Sequence, residues 1–321
     1  MPLLLAAFGD GKTAVRDAAQ GAARAVMRNL TGNGVKMIMP SLLKGLEEFH
    51  WRSKVASIVM LGSMAYCAPR QLAQCLPQIV PQLLAAFSDT HIKVRAAGKS
   101  ALQDIGSVIR NPEIAGLSPV LLAALTKPVD KTQNALDALS STSFVHAIDP
   151  PSLALIVPIL ERALGFRSTE TKKSAALIVG NMFSLIADPK DIMPYLESLV
   201  PCLRQALVDP IPDVRAVAAR AMGALVDGLG EGEFVETLAW LQELIHSDLS
   251  AVERSGGAQG LAYVLVAMGE PRLSQLLREL MPLADHPKCV RWLAVCCAVL
   301  CLCVWLCVWQ CVCVACTLVP G

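Results

Sequence analysis

An aspartate followed six positions later by an arginine recurs along this chain, and the recurrence constrains the fold more than any other feature. The pairs are Asp10 and Arg16, Asp89 and Arg95, Asp209 and Arg215, Asp248 and Arg254, and Asp285 and Arg291. Glu48 and Lys54 keep the spacing with substituted residues. The arginines Arg215, Arg254 and Arg291 are 39 and 37 residues apart. Two helices in a repeat of roughly 40 residues are typical of HEAT and armadillo arrays, so the spacing predicts an all-α solenoid.

The segment around Asp209 shows how one repeat is built. Leu203–Val208 ends a first helix whose apolar residues follow the helical period. Asp209–Pro212 interrupts it, because proline is excluded from a helix interior. We predict Asp213 as the N-cap of the second helix, which places Asp209 in the turn. In stacked repeats we expect a structural ladder in which each of these aspartates reaches the arginine of its own or an adjacent repeat.

The same division applied to the whole chain predicts seven helix pairs and the start of an eighth near Pro271. The predicted pairs are 2–29, 36–66, 71–108, 112–145, 151–187, 193–228 and 231–268. Prolines inside first helices should kink them, at Pro81, Pro119, Pro158 and Pro201. No segment alternates with a period of two, so no sheet is expected. The predicted fold class is an α-solenoid of seven to eight HEAT-type pairs, an armadillo-like superhelix.

Sequence signals for catalysis are weak. Gly11-Lys12-Thr13 and Gly98-Lys99-Ser100 imitate the end of a phosphate-binding loop, but Ala6 and Lys93 occupy the positions where an earlier glycine is required. The five histidines are dispersed, without metal-ligand spacing. We therefore predict no cofactor, no metal site and no enzymatic activity.

Clustered basic residues are the candidate partner contacts. Formal net charge is only +1, which argues against a uniformly basic nucleic-acid binder but allows a local patch. Arg24 and Arg28 are four apart in one predicted second helix. We single out five residues as candidate contacts to ribosomal RNA or an acidic partner: Lys93, Arg95, Lys99, Lys172 and Lys173. The alternative is an ordinary solvated face.

The segment 292–321 differs in composition from residues 1–291, which we assign to the solenoid. Nine of the 12 cysteines lie between Cys289 and Cys316, and Trp292 to Val319 contains no charged residue. Its length suits a transmembrane helix. However, its Cys, Val, Trp and Leu codons fit a translated GT-rich repeat, so we interpret this tail as unspliced intron or a gene-model error. A membrane anchor and a cysteine-rich metal or redox segment are the alternatives.

Several segments contain residues beyond those that a generic HEAT repeat requires. They are Trp51–Val55, Leu61–Pro69, Leu76–Pro81, Asp89–Arg95, Asn111–Ile114, Pro151–Pro158, Lys172–Met182 and Asp209–Ala221. Together they resemble the central HEAT segment of the general-control translational activator family, which is in turn similar to the HEAT part of fungal elongation factor 3. The resemblance covers residues 1–291.

This resemblance implies a cytoplasmic, ribosome-associated scaffold that senses stalled ribosomes and relays amino-acid starvation to the initiation factor 2 alpha kinase. Family members are several times longer, so it also implies that this chain is a fragment. The family's kinase-binding part lies beyond the segment present here, which leaves the ribosome as the expected partner. The nucleotide-binding cassettes of elongation factor 3 are not found in the sequence. The alternative is a generic HEAT adaptor for transport or complex assembly, anchored to a membrane if the tail is real.

Overall fold

A computed structural model describes residues 2–246 and 250–269. The described residues contain fourteen α-helices and no strand, so the predicted all-α class is confirmed. Asp248, Asp285, Arg291, the predicted eighth pair and the tail lie outside the described residues.

The helix bounds follow the predicted pairs to within a few residues. The first four pairs are α1 (Pro2–Phe8) and α2 (Thr13–Arg28), α3 (Gly32–Glu47) and α4 (Trp51–Cys67), α5 (Pro69–Ala86) and α6 (Ile92–Gly106), and α7 (Pro112–Thr126) and α8 (Pro128–Ser141). The last three are α9 (Pro150–Leu164) and α10 (Thr169–Phe183), α11 (Leu196–Leu207) and α12 (Pro212–Leu229), and α13 (Val235–His246) and α14 (Ala251–Met268).

Prolines occupy two kinds of position. Several helices begin with proline, whose missing N–H costs nothing there. The prediction that Asp213 caps α12 is wrong for this reason: the helix begins at Pro212, after Ile211, and Asp213 lies in its first turn. The four interior prolines predicted in first helices are found there, and Pro40 and Pro77 are interior as well.

The chain divides into two compact units. Of the described residues, the first comprises 2–162 and 185–196, and the second 163–184, 197–246 and 250–269. In the first unit α4 packs between α2 and α6 and also contacts α3 and α5. Its residues Ile58, Leu61 and Met64 are completely buried. Such two-sided burial is what a second helix inside a repeat stack requires.

In the second unit α12 packs between α10 and α14, and α14 also packs on α13. Small residues allow the close approach. A Cβ added to Gly256 of α14 would overlap the carbonyl oxygen of Leu207, at the end of α11. Glycine is therefore required at this position by packing.

Three arginines of the recurrent pairs bind the backbone of their own turn. Arg215 donates from Nη1 to the carbonyl oxygens of Asp209 (2.8 Å) and Pro210 (2.9 Å). Arg16 and Arg95 make the same two bonds in their turns, at 2.7–2.9 Å. In each turn the aspartate Oδ1 instead accepts the backbone N–H two residues on, at 2.7–2.9 Å.

At Asp89 and Asp209 the second carboxylate oxygen is bonded by a lysine of the preceding repeat. Lys54 Nζ lies 2.8 Å from Asp89 Oδ2, and Lys172 Nζ lies 2.5 Å from Asp209 Oδ2. The expected ladder of aspartate carboxylates on arginines is therefore wrong at these turns. A lysine at the arginine position of one repeat bonds the aspartate of the next, because each arginine is held by its own turn.

Repeats without the recurrent pair are joined by other polar side chains of the first unit. Asp149, ahead of α9, accepts the backbone N–H of Arg110 (2.8 Å) and that of Ser152 (3.2 Å). Asn111 accepts the N–H of Ile114 at the start of α7 and donates to the Ala147 carbonyl at 3.0 Å. The Arg110–Asp149 and Asn111–Ala147 bonds again span about one repeat.

Candidate functional site

Of the five predicted contact residues, three lie in the first unit and two in the second. Arg95 is committed to its turn, as described above. Lys172 is paired with Asp209, and Lys173 lies 3.4 Å from Glu170 and 3.5 Å from Asp213. Lys93 and Lys99, both on α6, are exposed and make no ion pair with any described residue. Of the predicted set, these two keep an ammonium group available for a partner.

A groove in the first unit runs between the second helices α2 and α4 and has a volume of ≈ 820 Å³. Its floor is apolar, and Val59 and Tyr66 of α4 are exposed there by 56% and 70%. Five of the lining side chains are cationic, and no acidic side chain of a described residue lines the groove. The cations are Arg16, Arg24, Arg28, Arg52 and Lys93. We call this the α2–α4 groove.

An aromatic pair lies at one end of the α2–α4 groove. The rings of Trp51 and His91 are stacked, with centroids 4.1 Å apart and planes 8° from parallel. The Arg52 guanidinium carbon lies 4.6 Å from the Trp51 ring centroid and Lys93 Nζ lies 5.1 Å from it. These are distances at which cations are attracted to the tryptophan ring. The pair thus holds two cations at the groove.

A second groove in the first unit lies between α6, α7 and α8, with a volume of ≈ 730 Å³. Three lysines line it, namely Lys99, Lys127 and Lys131, together with polar side chains such as Gln103 and Thr126. Among the described residues no carboxylate lines it either. We call this the α6–α8 groove. Its lysines are exposed, as expected of a surface that meets anionic groups.

Sequence reasoning missed much of both grooves. Arg24 and Arg28 were predicted from their spacing of four; Lys127 and Lys131 have the same spacing but were not singled out, and neither was Arg52. Trp51 and His91 are 40 residues apart. That separation is one repeat, and it was the available signal that the two side chains meet.

Helix pairs joined by recurrent turn bonds, with exposed grooves between neighbouring helices, define a HEAT-repeat protein. Two family models match: the EF3 N-terminal HEAT repeat over residues 1–102 and the elongation factor 3/GNC1 HEAT repeat over residues 130–236. The chain belongs to this family of elongation factor 3/GNC1 HEAT-repeat proteins, which confirms the resemblance seen in the sequence.

Similar curated proteins are much longer than this chain. The stalled ribosome sensor GCN1 of Homo sapiens is 54% identical over 285 residues, which cover 89% of this chain and 11% of the relative. Protein ILITYHIA of Arabidopsis thaliana is 53% identical over 294 residues, covering 90% and 11%. Elongation factor 3 of Gonapodya prolifera is 34% identical over 223 residues, covering 69% and 20%.

No helix within the described ranges is both long enough and apolar enough to cross a bilayer.

Proposed function

We propose that this chain is a non-enzymatic, ribosome-associated scaffold in translational control. The observation that supports this most directly is its likeness to a relative named as a stalled ribosome sensor, at 54% identity over 89% of the chain. In the cytoplasm, the same scaffold serves stalled-ribosome and starvation signalling to the initiation factor 2 alpha kinase. Because the chain matches only 11% of that relative, we assign it the ribosome contact and leave kinase binding to other parts of the longer proteins.

The α6–α8 groove is the part of the described surface best suited to ribosomal RNA. Lys99, Lys127 and Lys131 present three exposed ammonium groups beside hydroxyl and amide side chains. Phosphate contacts of this kind release counterions, so binding weakens steeply with salt. Lys93, the other candidate on α6, faces the α2–α4 groove instead.

Sedimentation of cell extract on sucrose gradients at low and moderate salt tests the proposal. We expect the chain to comigrate with ribosomes at low salt and to move to the top as salt rises. Binding of purified chain to ribosomes should lose about two to three units from its log–log salt slope when Lys99, Lys127 and Lys131 are all changed to Glu.

A matched variant controls for total charge. Lys36, Lys44 and Arg70 are exposed and lie outside both grooves. Changing these three to Glu alters the net charge equally and should leave the salt slope near wild type. A wild-type chain that stays at the top of the gradient at low salt would instead favour the generic HEAT adaptor.

A further inference from the structure

We propose that the α2–α4 groove is a docking site for an acidic amphipathic helix of a partner protein. The site is separate from the lysines of the α6–α8 groove, so the inference does not depend on the proposed ribosome contact.

The apolar floor of the groove fits one face of a helix. Ala23 and Met27 on α2, and Val55 and Val59 on α4, are each four residues apart and line the same groove. Side chains four apart lie on one face of a helix, so each helix contributes an apolar row. From Val55 to Tyr66 the α4 row extends for about 16 Å, or roughly three turns of a docked helix. Partner side chains at i, i+3, i+4 and i+7 match such a surface.

The charges at the groove specify the other face of the ligand. All five charged lining residues are cationic although the whole chain is nearly neutral, at +1. Four of the five are arginines. Arg16 is held by its own turn, but an uncommitted guanidinium binds a carboxylate through two parallel bonds. Arg24 and Arg28 make no ion pair with any described residue and are exposed. They are therefore available to glutamate or aspartate side chains flanking the apolar face of the ligand.

The same groove is poorly suited to RNA. Single-stranded nucleic acid binds by stacking bases on open aromatic faces. Trp51 offers little open face, since His91 stacks on its ring and Arg52 and Lys93 lie over it. Tyr66 does keep an exposed ring, but its hydroxyl donates to Asp104 Oδ1, a carboxylate that repels phosphate. The exposed Val59 side chain adds nothing to phosphate binding but stabilises a protein ligand through burial. A protein helix uses both features of the groove.

The test is fluorescence polarisation with the full chain and a labelled 18-residue helical peptide. The peptide carries Leu at i, i+3, i+4 and i+7 positions and Glu on both flanks. Matched probes replace every Glu by Lys, or every Leu by Ser, and a fourth probe is a single-stranded U12 RNA. We expect the acidic amphipathic peptide to bind, and each matched probe to bind at least tenfold more weakly.

Chain variants locate the binding. Arg24→Glu with Arg28→Glu should weaken the acidic peptide about tenfold or more and strengthen the Lys-substituted peptide, which a folding defect cannot do. Val59→Glu, at an exposed position, should also weaken binding. The Lys99, Lys127 and Lys131 variant is the control and should bind the peptide like wild type.

Three results would overturn the proposal. These are equal affinity for acidic and basic peptides, binding that survives the Arg24 and Arg28 reversal, and U12 binding that is as tight as the acidic peptide and lost with the same reversal. The last would assign the groove to RNA. Failure of ribosome sedimentation would leave these peptide results unchanged.

Discussion

Replacing Asp209 by Ala should loosen two successive repeats at once. Its side chain is 5% exposed, and it holds the Ile211 N–H through Oδ1 and the Lys172 ammonium through Oδ2. Asp10 provides a matched control: its Oδ1 accepts the Lys12 N–H in the same way, but its side chain makes no ion pair with any described residue. The difference between the two variants isolates the bond between repeats.

The expected sizes follow from the exposure of the partners. Removing one partner of a buried ion pair costs roughly 3–5 kcal/mol, but Lys172 is 23% exposed and regains some hydration. We therefore expect Asp209→Ala to cost about 2–3 kcal/mol. Asp10→Ala loses one turn hydrogen bond and should cost about 0.5–1 kcal/mol. Asp209→Asn keeps the Oδ1 acceptor and should fall between them.

Hydrogen exchange of backbone amides measures these losses repeat by repeat, which suits arrays that open in parts. At about 1.4 kcal/mol per factor of ten, protection should fall roughly 30- to 100-fold for Asp209→Ala and about two- to fivefold for Asp10→Ala. The loss with Asp209→Ala should appear in both α12 and α10, because Lys172 is on α10. Equal losses for the two variants, or a loss confined to the turn after α11, would refute the role of the lysine bond between repeats.

Two further predictions concern pH and packing. Hydrogen bonds from Lys54 and from the His91 N–H lower the pKa of Asp89. This carboxylate therefore contributes stability above its unfolded pKa of about 3.9, and the stability is lost as pH falls through the lower folded pKa. Acid unfolding of Asp89→Asn, followed by circular dichroism, should depend less steeply on pH in this range, and an unchanged pH dependence would contradict this. Gly256→Ala should lower the free energy of unfolding by about 1–3 kcal/mol, because the added Cβ overlaps the Leu207 carbonyl. The control is Gly116→Ala, which has nothing within 4 Å of the added Cβ and should stabilise helix α7 by roughly 0.5–1 kcal/mol. Melting temperatures that shift equally in the two variants would rule out the close contact at Gly256.

The sequence was informative about the repeat and less so about its bonds. The six-residue spacing located the turns at Asp10, Asp89 and Asp209, because one turn geometry fixes both the aspartate and the arginine. It did not reveal that Arg215 binds carbonyl oxygens, since backbone acceptors leave no trace in the side-chain pattern. Lys172 was predicted to contact a partner, but it forms an ion pair with Asp209.

The candidate sites were predicted in fragments for a related reason. A cluster along one helix, such as Arg24 and Arg28, is visible in the sequence as a local spacing. The Trp51–His91 stack joins two helices, and finding it requires the repeat length as well as the residue types. Pro212 misled the prediction of the α12 start, because proline is equally suited to a turn and to a first helical position.

The lysine bonds from Lys54 to Asp89 and from Lys172 to Asp209 reach 35 and 37 residues along the chain, and the Trp51–His91 contact reaches 40. Each of these contacts thus joins one repeat to the next. An insertion of half a repeat would exchange the places of first and second helices beyond it, whereas an insertion of a whole repeat keeps each helix type in its place in the stack. This architecture should therefore tolerate changes of length in whole repeats better than changes of a single helix.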